Sequence, residues 1–422
     1  MALTKKPVTG MKDIMPGEME IRDYCISVIK KTYAEFGFQG IETPCVESIE
    51  NLTSKSGGDN EKLIFKILKR GEKLKLDAQP TEQELVDGGL RYDLTVPLVR
   101  YFSAHENELP SPFKALQMGN VWRADRPQKG RYRQFMQCDI DIIGEPTNLA
   151  EIELILATTT TLGRLGFRGF QIRINERRIL KAMAGYSGFP EDRCDEVFII
   201  LDKMDKIGRD GVREELIAGG FGEESANRYI ALFCGMDGLE SAADKLAFLE
   251  RELAGCIGGD VIPNLRETIE TVEATRQAEF SLVFDPTIVR GMSYYTGTIF
   301  EIAMPELGIS CGGGGRYDGM VGKFIGREVP ACGFSIGFER IILILMERNF
   351  KIPGAAEKIC YLLEKGLPVE KLREAIARAQ KEREAGRSVL VVRMNKNKKF
   401  QKQALTEQGY TGFEEFYADP IR

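Results

Sequence analysis

The sequence contains one histidine among 422 residues, and this scarcity argues against several kinds of catalytic site. Ser-His-Asp triads, H-E-x-x-H zinc sites and histidine general bases all need a well-placed imidazole. His105 lies in VRYFSAHENE, which has the pattern of a helix end. The C-terminus of a helix carries partial negative charge that favours a cation, so we expect His105 to be a surface residue.

Cysteine pairs and long apolar runs are also missing. The nine cysteines are irregularly spaced and form no C-x-x-C motif, which argues against a disulfide framework and against a metal site built from Cys and His. No apolar run approaches the length needed to span a membrane, and the segment MALTKKPVTG has no apolar signal-peptide core. We therefore expect a cytoplasmic protein that has no membrane partner.

The glycine-rich phosphate-binding loops G-x-x-x-x-G-K-[ST] and G-x-G-x-x-G are absent too, even within Gly312 to Gly315. A bound nucleotide would therefore have to be held by side chains. The net charge of −5 excludes a strongly basic nucleic-acid-binding protein, although it leaves room for a local basic patch.

The order of apolar patterns predicts an α+β fold. A helix is predicted over residues 18–36, with Gly37 as its end. Strand-like runs follow at Leu63–Lys69, Leu90–Leu94, Phe113–Trp122 and Arg133–Ile143. Their short connections favour antiparallel pairing.

The chain is longer than a single hydrophobic core usually supports, so several domains are expected. Residues 176–281 hold helical patterns broken by glycines, which predicts a helical insertion between two parts of one sheet domain, 1–175 and 282–350. After the linker KIPGAAEK, residues 353–422 alternate strand, helix, strand and helix. This order predicts a small parallel α/β module.

Basic residues crowd the loop between the last two predicted strands of the first part, RADRPQKGRYRQFMQ. They are Arg123, Arg126, Lys129, Arg131 and Arg133. A guanidinium fork matches phosphate oxygens better than an ammonium group does, so this hairpin would suit a triphosphate. A solvated loop is the alternative, but the interleaved Trp122, Tyr132 and Phe135 favour a binding surface.

Two carboxylates flank apolar strands, Asp93 in LRYDLTVPLVR and Asp141 in QCDIDIIG. In a pocket they would suit a ligand that carries an ammonium group and a second polar group. Each also fits a strand-end residue that caps the next turn or helix, and for Asp139 we favour that structural role.

Arg290 stands inside the apolar run IVRGMSYYTGTIFEI, with no obvious anionic neighbour. An unpaired guanidinium is costly in a low-dielectric site, so its partner is expected to arrive as a ligand. Tyr294 and Tyr295 would point to opposite faces of a strand, so at most one is expected to line a pocket.

Five motifs in one order carry a resemblance to the class II aminoacyl-tRNA synthetases, and among them to the histidyl-tRNA synthetases. The helix and strand that end at Pro44 are similar to motif 1, the loop 123–137 to motif 2, and GFSIGFERI to motif 3. RGMSYYTGTIFE and GGGGRYDG resemble the two histidine-specific signatures. The resemblance implies a class II antiparallel sheet flanked by helices, with 1–175 and 282–350 as its catalytic domain, and a homodimer formed through motif 1.

The resemblance also implies which side chains bind the substrates. The α-amino group of histidine would be received by Asp93, Thr95 and Gln137. The imidazole would be read by Asp141 and Tyr295, in a pocket that Tyr294 and Tyr317 also line. ATP would be held by Arg123, Asp125, Arg290 and Arg340, and the tRNA acceptor end by Arg126 and Gln128.

The implied reaction needs no histidine base. The histidine carboxylate attacks the α-phosphorus of ATP, supplied with Mg²⁺, and releases pyrophosphate to give histidyl-adenylate. The tRNA then takes the histidyl group from the adenylate. Three catalytic arginines, Arg123, Arg290 and Arg340, would stabilise the developing charge. Residues 353–422 are shorter than the family's anticodon-binding domain, so anticodon contact is left open. The basic run RMNKNKKFQKQ fits an RNA contact and a solvated helix start equally well.

The short C-terminal module also fits a second family. The regulatory subunit of ATP phosphoribosyltransferase is a catalytically silent, histidine-binding paralogue of these synthetases. A silent protein would have no reason to keep Arg123, Arg290 and Arg340 together, because unpaired buried arginines destabilise a fold. The arginines therefore favour the ligase.

Overall fold

The computed structural model describes residues 3–53, 60–74, 80–289, 294–305 and 308–418. They form two compact units. The larger unit holds the described residues of Met1–Ile14 and Arg22–Arg348, and the smaller unit holds those of Met15–Ile21 and Asn349–Arg422. Among the described residues, no helix has the length and apolar character that crossing a membrane requires.

The strands of the larger unit belong to two sheets. In chain order they are β1 (Gln39–Ile41), β2 (Val46–Ser48), β3 (Lys66–Leu68), β4 (Val86–Leu90), β5 (Phe113–Trp122), β6 (Gln134–Ile143), β7 (Phe170–Glu176), β8 (Phe280–Phe284), β9 (Thr298–Met304), β10 (Ile309–Arg316) and β11 (Ala331–Ile336). The main sheet has eight strands in the order β1-β5-β6-β11-β10-β9-β7-β8, and the small sheet has the order β2-β4-β3.

Antiparallel pairing dominates the main sheet, as the sequence predicted. Every neighbouring pair from β5 across to β7 is antiparallel, and only the edge strands β1 and β8 pair in parallel with their neighbours. The strands predicted at Phe113–Trp122 and Arg133–Ile143 are β5 and β6. The sheet therefore has the mixed but mainly antiparallel character of the predicted α+β class.

Helices flank the main sheet and interrupt it once. In chain order up to Arg348 they are α1 (Pro16–Glu35), α2 (Ile49–Thr53), α3 (Glu82–Leu85), α4 (Thr95–His105), α5 (Leu149–Arg164), α6 (Arg177–Ser187), α7 (Cys194–Leu201), α8 (Met204–Ala218), α9 (Glu223–Gly235), α10 (Ala242–Glu252), α11 (Val261–Thr275), α12 (Gly319–Ile325) and α13 (Phe338–Glu347). The run from α6 to α11 lies between the parallel neighbours β7 and β8, so the expected helical insertion is confirmed.

One predicted strand is wrong. The run Leu90–Leu94 contributes only Leu90 to β4, and the residues after it form a turn that leads into α4. The reason is local, because Asp93 Oδ1 accepts a hydrogen bond from Val96 N at 3.1 Å. A side chain that satisfies a helix N-terminal N–H favours the helix start over a continued strand.

Strand β6 shows how the sequence places polar groups inside the fold. Its apolar residues Cys138, Ile140 and Ile142 are buried and alternate with Asp139 and Asp141. Since successive side chains of a strand point to opposite faces, both carboxylates project from the face that the apolar residues do not use. That face forms the floor of a cavity.

A buried ion pair connects α13 to α1 within the larger unit. Arg22 of α1 makes a bidentate pair with Glu339 of α13, with N–O distances of 2.7 and 2.9 Å, and both side chains are buried. Glu339 Oε1 also accepts from Met136 N of β6 at 3.1 Å. These bonds fix the start of α13, which carries Arg340, against the central strand.

The smaller unit contains a parallel three-stranded sheet. Its elements are β12 (Lys358–Leu363), α14 (Val369–Glu384), β13 (Ser388–Arg393), α15 (Lys398–Glu407) and β14 (Gly412–Phe416), and the sheet order is β13-β12-β14. The parallel α/β module is confirmed. The third strand, β14, was not predicted, and it pairs with the buried central strand β12.

Candidate active site

A cavity of about 350 Å³ opens over the polar face of β6 and the adjoining strands β10 and β11. Its walls come from these strands, the start of α4, the loop between β5 and β6, and the start of α13. The polar side chains that line it are Asp93, Thr95, Arg123, Asp125, Arg131, Tyr132, Gln137, Asp139, Asp141, Tyr294, Tyr295, Ser310, Tyr317, Ser335, Glu339 and Arg340.

Three tyrosines and Asp141 make one wall of this cavity. Tyr317 Oη donates to Asp141 Oδ1 at 2.6 Å. The ring of Tyr294 lies 4.8 Å from that of Tyr295 and 6.1 Å from that of Tyr317, between centroids. Burial raises the pKa of Asp141 to about 7, and nearby Asp93 adds to this rise while the Tyr317 hydrogen bond opposes it.

Two acceptor atoms in the same cavity have no hydrogen-bond partner among the described residues. They are Asp93 Oδ2 and Gln137 Oε1, and both are buried. Burial raises the pKa of Asp93 to about 6, against the lowering effect of the Val96 amide and of Arg123. Buried acceptors are normally paired, so two unpaired ones on residues that line the same cavity indicate a ligand that brings donors.

Asp139 also lines the cavity, and the sequence analysis missed it. It was assigned to a strand end, but β6 continues to Ile143 and places Asp139 on the same face as Asp141. Asp139 Oδ1 accepts from Ser335 Oγ at 2.5 Å, and Gln137 Nε2 lies 3.2 Å from Oδ2. Burial, followed by the charge of Asp141, raises the pKa of Asp139 well above its usual value.

Arginines form the basic wall. Arg123 Nε donates to Tyr92 O at 2.8 Å, and its guanidinium carbon lies 5.2 Å from the Phe135 ring centroid. Arg340 Nη1 donates to Ser310 O. These carbonyl and ring contacts hold the two guanidinium groups at the cavity, where their planar donor forks suit an anionic ligand.

The loop between β5 and β6 is shaped by its own ion pair and turn. Arg131 Nη2 lies 2.8 Å from Asp125 Oδ2, and Arg133 Nε donates to Asp125 O at 3.1 Å. The loop reverses through Gly130, whose φ of +71° suits glycine because it has no Cβ. Asp125 therefore organises this basic loop from inside.

The structure brings together most of the predicted site residues. Those that share the cavity are Asp93, Thr95, Arg123, Asp125, Gln137, Asp141, Tyr294, Tyr295, Tyr317 and Arg340. Arg126 and Gln128 instead lie on the exposed tip of the loop. Arg290 lies outside the described residues.

The expectation for the tyrosine pair was wrong. Both Tyr294 and Tyr295 line the cavity, because β9 begins only at Thr298 and the pair precedes it in a turn. The alternation rule for strands therefore does not apply to them. His105 ends α4 with an exposed side chain, as predicted.

No three His, Cys, Asp or Glu side chains within the described ranges are grouped so that they could hold a metal ion. A magnesium ion here would have to be held partly by the oxygens of a bound nucleotide, which is a common arrangement for Mg²⁺.

Comparison with known proteins gives consistent results. The family model described as histidyl-tRNA synthetase matches residues 10–341. A histidine–tRNA ligase of Leifsonia xyli subsp. xyli is 42% identical over 425 residues, which cover 98% of this chain and 95% of the relative. The crystal structure of histidyl-tRNA synthetase from Nostoc sp. PCC 7120 superposes with a TM-score of 0.78 at 28% identity, covering 97% of this chain and 90% of that chain.

A second solved structure is relevant to the alternative of an ATP phosphoribosyltransferase regulatory subunit. It is described as an ATP phosphoribosyltransferase regulatory subunit/histidyl-tRNA synthetase from Bacillus halodurans C, and it superposes with a TM-score of 0.77 over 100% of both chains. Its sequence identity is 22%, so this likeness shows the fold alone.

Proposed function

The chain belongs to the histidyl-tRNA synthetase family, and from this premise we propose that it is a histidine–tRNA ligase working through the cavity over β6. It activates histidine with ATP to histidyl-adenylate and transfers the histidyl group to the 3′ end of histidine tRNA. The observation that carries this proposal is one cavity lined by buried carboxylates, tyrosines and three arginines, Arg123, Arg131 and Arg340.

Histidine fits the acidic part of the cavity. Its ammonium group can donate to Asp93 Oδ2 and Gln137 Oε1, the two buried acceptors left without protein partners among the described residues. Thr95 lies beside them. Its imidazole can donate to Asp141, which Tyr317 already orients through a 2.6 Å hydrogen bond.

Selectivity follows from the cost of burying unpaired polar groups. An amino acid without ring nitrogens would fill the space but bring no donor to Asp141. A site built to hydrogen-bond its substrate rejects such an analogue strongly, so no editing step is needed. Tyr294 packs on Tyr295 and holds its ring in place.

ATP is assigned to the basic part, where Arg123 and Arg340 would stabilise the phosphates and Asp125 would shape the loop around them. Sequence resemblance alone assigns Arg290 to the α-phosphate and the histidine carboxylate. ATP enters as its Mg²⁺ complex, since the metal neutralises phosphate charge during the displacement. The protein contributes mainly alignment of the carboxylate with the α-phosphorus, together with fixed positive charge.

The transfer step requires tRNA to reach the same cavity. Arg126 and Gln128, exposed at the tip of the basic loop, are assigned to the acceptor end of the tRNA. The protein acts as a homodimer in the cytoplasm, where translation consumes its product. The resemblance of the helix and strand that end at Pro44 to motif 1 supports the dimer, and light scattering of the full chain would measure its mass.

Histidine-dependent exchange of pyrophosphate into ATP tests the activity. We expect exchange by the full chain, and a fall of about 10²- to 10³-fold for Arg123→Ala, because one preorganised charge contact at the reacting group is lost. Arg228→Ala is the matched control, since Arg228 makes a surface pair with Glu224 on α9 at 2.8 Å. Histidine binding without any exchange would instead support the regulatory-subunit alternative.

A further inference from the structure

We propose that Asp139 is a positioning residue for the amino-acid substrate. It acts by holding the Gln137 side-chain amide so that its oxygen, and not its nitrogen, faces the α-amino group of histidine. This inference rests on the proposed function, because it assigns a role within the same histidine site. The sequence resemblance gave no role to Asp139.

The hydrogen-bond partners of the Gln137 side chain lie at its nitrogen and not at its oxygen. Its Nε2 lies 3.2 Å from Asp139 Oδ2, 3.4 Å from Asp139 Oδ1 and 3.5 Å from Ser335 Oγ. Its Oε1 is buried and has no partner among the described residues. A carboxylate can only accept hydrogen bonds, so Asp139 requires the NH₂ end of the amide to turn toward it.

Asp139 is itself held firmly. It is 4% exposed, and Ser335 Oγ donates to its Oδ1 at 2.5 Å. Backbone pairing sets this contact, since Asp139 of β6 lies opposite Ser335 of β11 in the sheet register. The carboxyl group therefore cannot follow Gln137 if the amide turns over.

The orientation decides which ligand the site can receive. With the observed amide orientation, Gln137 and Asp93, which both line the cavity, each keep a buried acceptor without a partner among the described residues, and an ammonium group has three donors to offer them. With the amide reversed, its NH₂ group would face the ammonium donors, and one acceptor would be lost. Asp139 thus determines that the oxygen end of the Gln137 amide, and not its nitrogen end, is presented to the substrate.

Asp139 in its protonated, neutral form would orient the Gln137 amide in the same way. Burial and the charge of Asp141 raise the pKa of Asp139, but a protonated carboxyl still presents a carbonyl oxygen to Gln137 Nε2. An asparagine side chain presents the same carbonyl oxygen. Asp139→Asn should therefore keep the function, whereas Asp139→Ala and Asp139→Leu, which offer no acceptor, should lose it.

The test is a set of kinetic measurements on full-length variants by pyrophosphate exchange. We expect Asp139→Ala to raise the KM for histidine by roughly tenfold with little change in the KM for ATP, and Asp139→Asn to stay within about twofold of the wild type. The double variant Gln137→Ala/Asp139→Ala should be no weaker than Gln137→Ala alone, because Asp139 acts through Gln137.

A substrate analogue separates positioning from a general loss of shape. Imidazolepropionate keeps the ring and the carboxylate but lacks the α-amino group, so its inhibition constant should be the same for the wild type and Asp139→Ala. Equal weakening of histidine and of this analogue, or additive effects in the double variant, would overturn the proposal. Asp139→Leu fills the volume that alanine leaves empty and gives the same comparison if Asp139→Ala does not fold.

These outcomes are separate from failure of the proposed function. If the wild-type chain supports no exchange, the ligase assignment fails before any variant is compared. If the wild type is active and Asp139→Ala and Asp139→Leu bind histidine normally, only the positioning role of Asp139 is refuted.

Discussion

Asp141 is a carboxyl group that the folded protein holds more strongly in its neutral form than the unfolded chain does. Burial raises its pKa from 3.8 to about 7. Between these values the native state binds more protons than the unfolded state, so the free energy of unfolding falls as the pH rises through this window. The ligand-free site is therefore a source of instability at neutral pH.

Asp141→Asn should remove this pH-dependent fall in the free energy of unfolding, while keeping an oxygen that can accept a hydrogen bond from Tyr317. From about pH 5 to about pH 8, we expect the variant to gain stability over the wild type by on the order of 2 kcal/mol, because each pKa unit is worth about 1.4 kcal/mol. Calorimetric melting of both proteins without ligands across this range measures the difference.

The control for this prediction is Asp87→Asn, at an exposed position. Its stability difference from the wild type should stay nearly constant across the same pH range, since this side chain lies on the surface of the folded protein. A constant difference for Asp141→Asn as well would mean that Asp141 is already ionised at low pH in the folded protein.

At the scale of single residues, chemical type identified the carboxylates Asp93 and Asp141 and the basic loop with Arg123, and the family resemblance supplied most of the other predicted cavity residues. Asp93 and Asp141 stood out as carboxylates beside apolar runs, and both line the cavity. Asp139 was missed because it was read as a turn-capping residue, although the period of two in β6 places it on the same face as Asp141. The amide orientation of Gln137 depends on Ser335 and β11, which are distant in sequence, so no local pattern could have shown it.

At the scale of elements, the pairing of β6 with β11 leaves no room for a side chain opposite Asp141. Gly333 of β11 is the register partner of Asp141, and a Cβ at Gly333 would collide with Asp141 Oδ1. The same Cβ would lie 3.3 Å from Cε1 of Tyr317. Glycine at this position therefore makes space for the carboxylate that the strand pairing brings close.

Gly333→Ala should displace Asp141 and weaken its bond to Tyr317. We expect the KM for histidine in pyrophosphate exchange to rise at least about tenfold, because the imidazole loses its hydrogen bond to Asp141. The KM for ATP should be nearly unchanged, because ATP does not use this contact.

Gly185→Ala is the matched control, since a Cβ on this residue of α6 would meet nothing within 4 Å. Its kinetics should equal those of the wild type. Equal KM values for histidine in Gly333→Ala and the wild type would show that the strands can separate enough to accommodate the methyl group.

Elements were predictable where the pattern was long, and were missed where a side chain changed the backbone locally. The ten-residue strand β5 was predicted from its apolar run with the bounds that the structure shows. Leu90–Leu94 was read as a strand-like run, but the side chain of Asp93 accepts from Val96 N and the chain turns into α4. β14 contains Glu414 and Glu415 and is half-buried along its length, so it carries no strong apolar pattern.

At the scale of the whole molecule, residues distant in sequence combine into the smaller unit. Met15–Ile21, at the start of α1, groups with Asn349–Arg422, and Lys358 Nζ contacts Glu20 Oε1 at 2.5 Å within that unit. No local pattern in the sequence predicts that these two segments belong to one unit. It also means that deletion of residues 353–422 would remove partners of α1, so point variants give a clearer test of what the module does.

An acidic protein with a net charge of −5 must use local cations to bind RNA, and the basic run of the smaller unit is partly neutralised from within. Lys398 and Lys402 each contact Glu415 at 2.5 Å. Hydrogen bonds from both lysines lower the pKa of Glu415 to about 2. The exposed basic residues of the run are Arg393, Lys396 and Lys399, and Arg393 donates to Glu364 O at 2.9 Å. Lys396 and Lys399 are therefore the exposed pair to which we assign contact with phosphate groups.

We therefore expect the double variant Lys396→Glu/Lys399→Glu to raise the KM for tRNA in histidine charging several-fold and to reduce its dependence on salt, since each phosphate contact releases about one counterion. Pyrophosphate exchange, which needs no tRNA, should be unchanged. Lys365→Glu, an exposed change in the same unit, controls for altered charge alone. Unchanged tRNA kinetics and salt dependence in the double variant would identify the run as a solvated helix start, because an RNA contact there cannot survive two charge reversals.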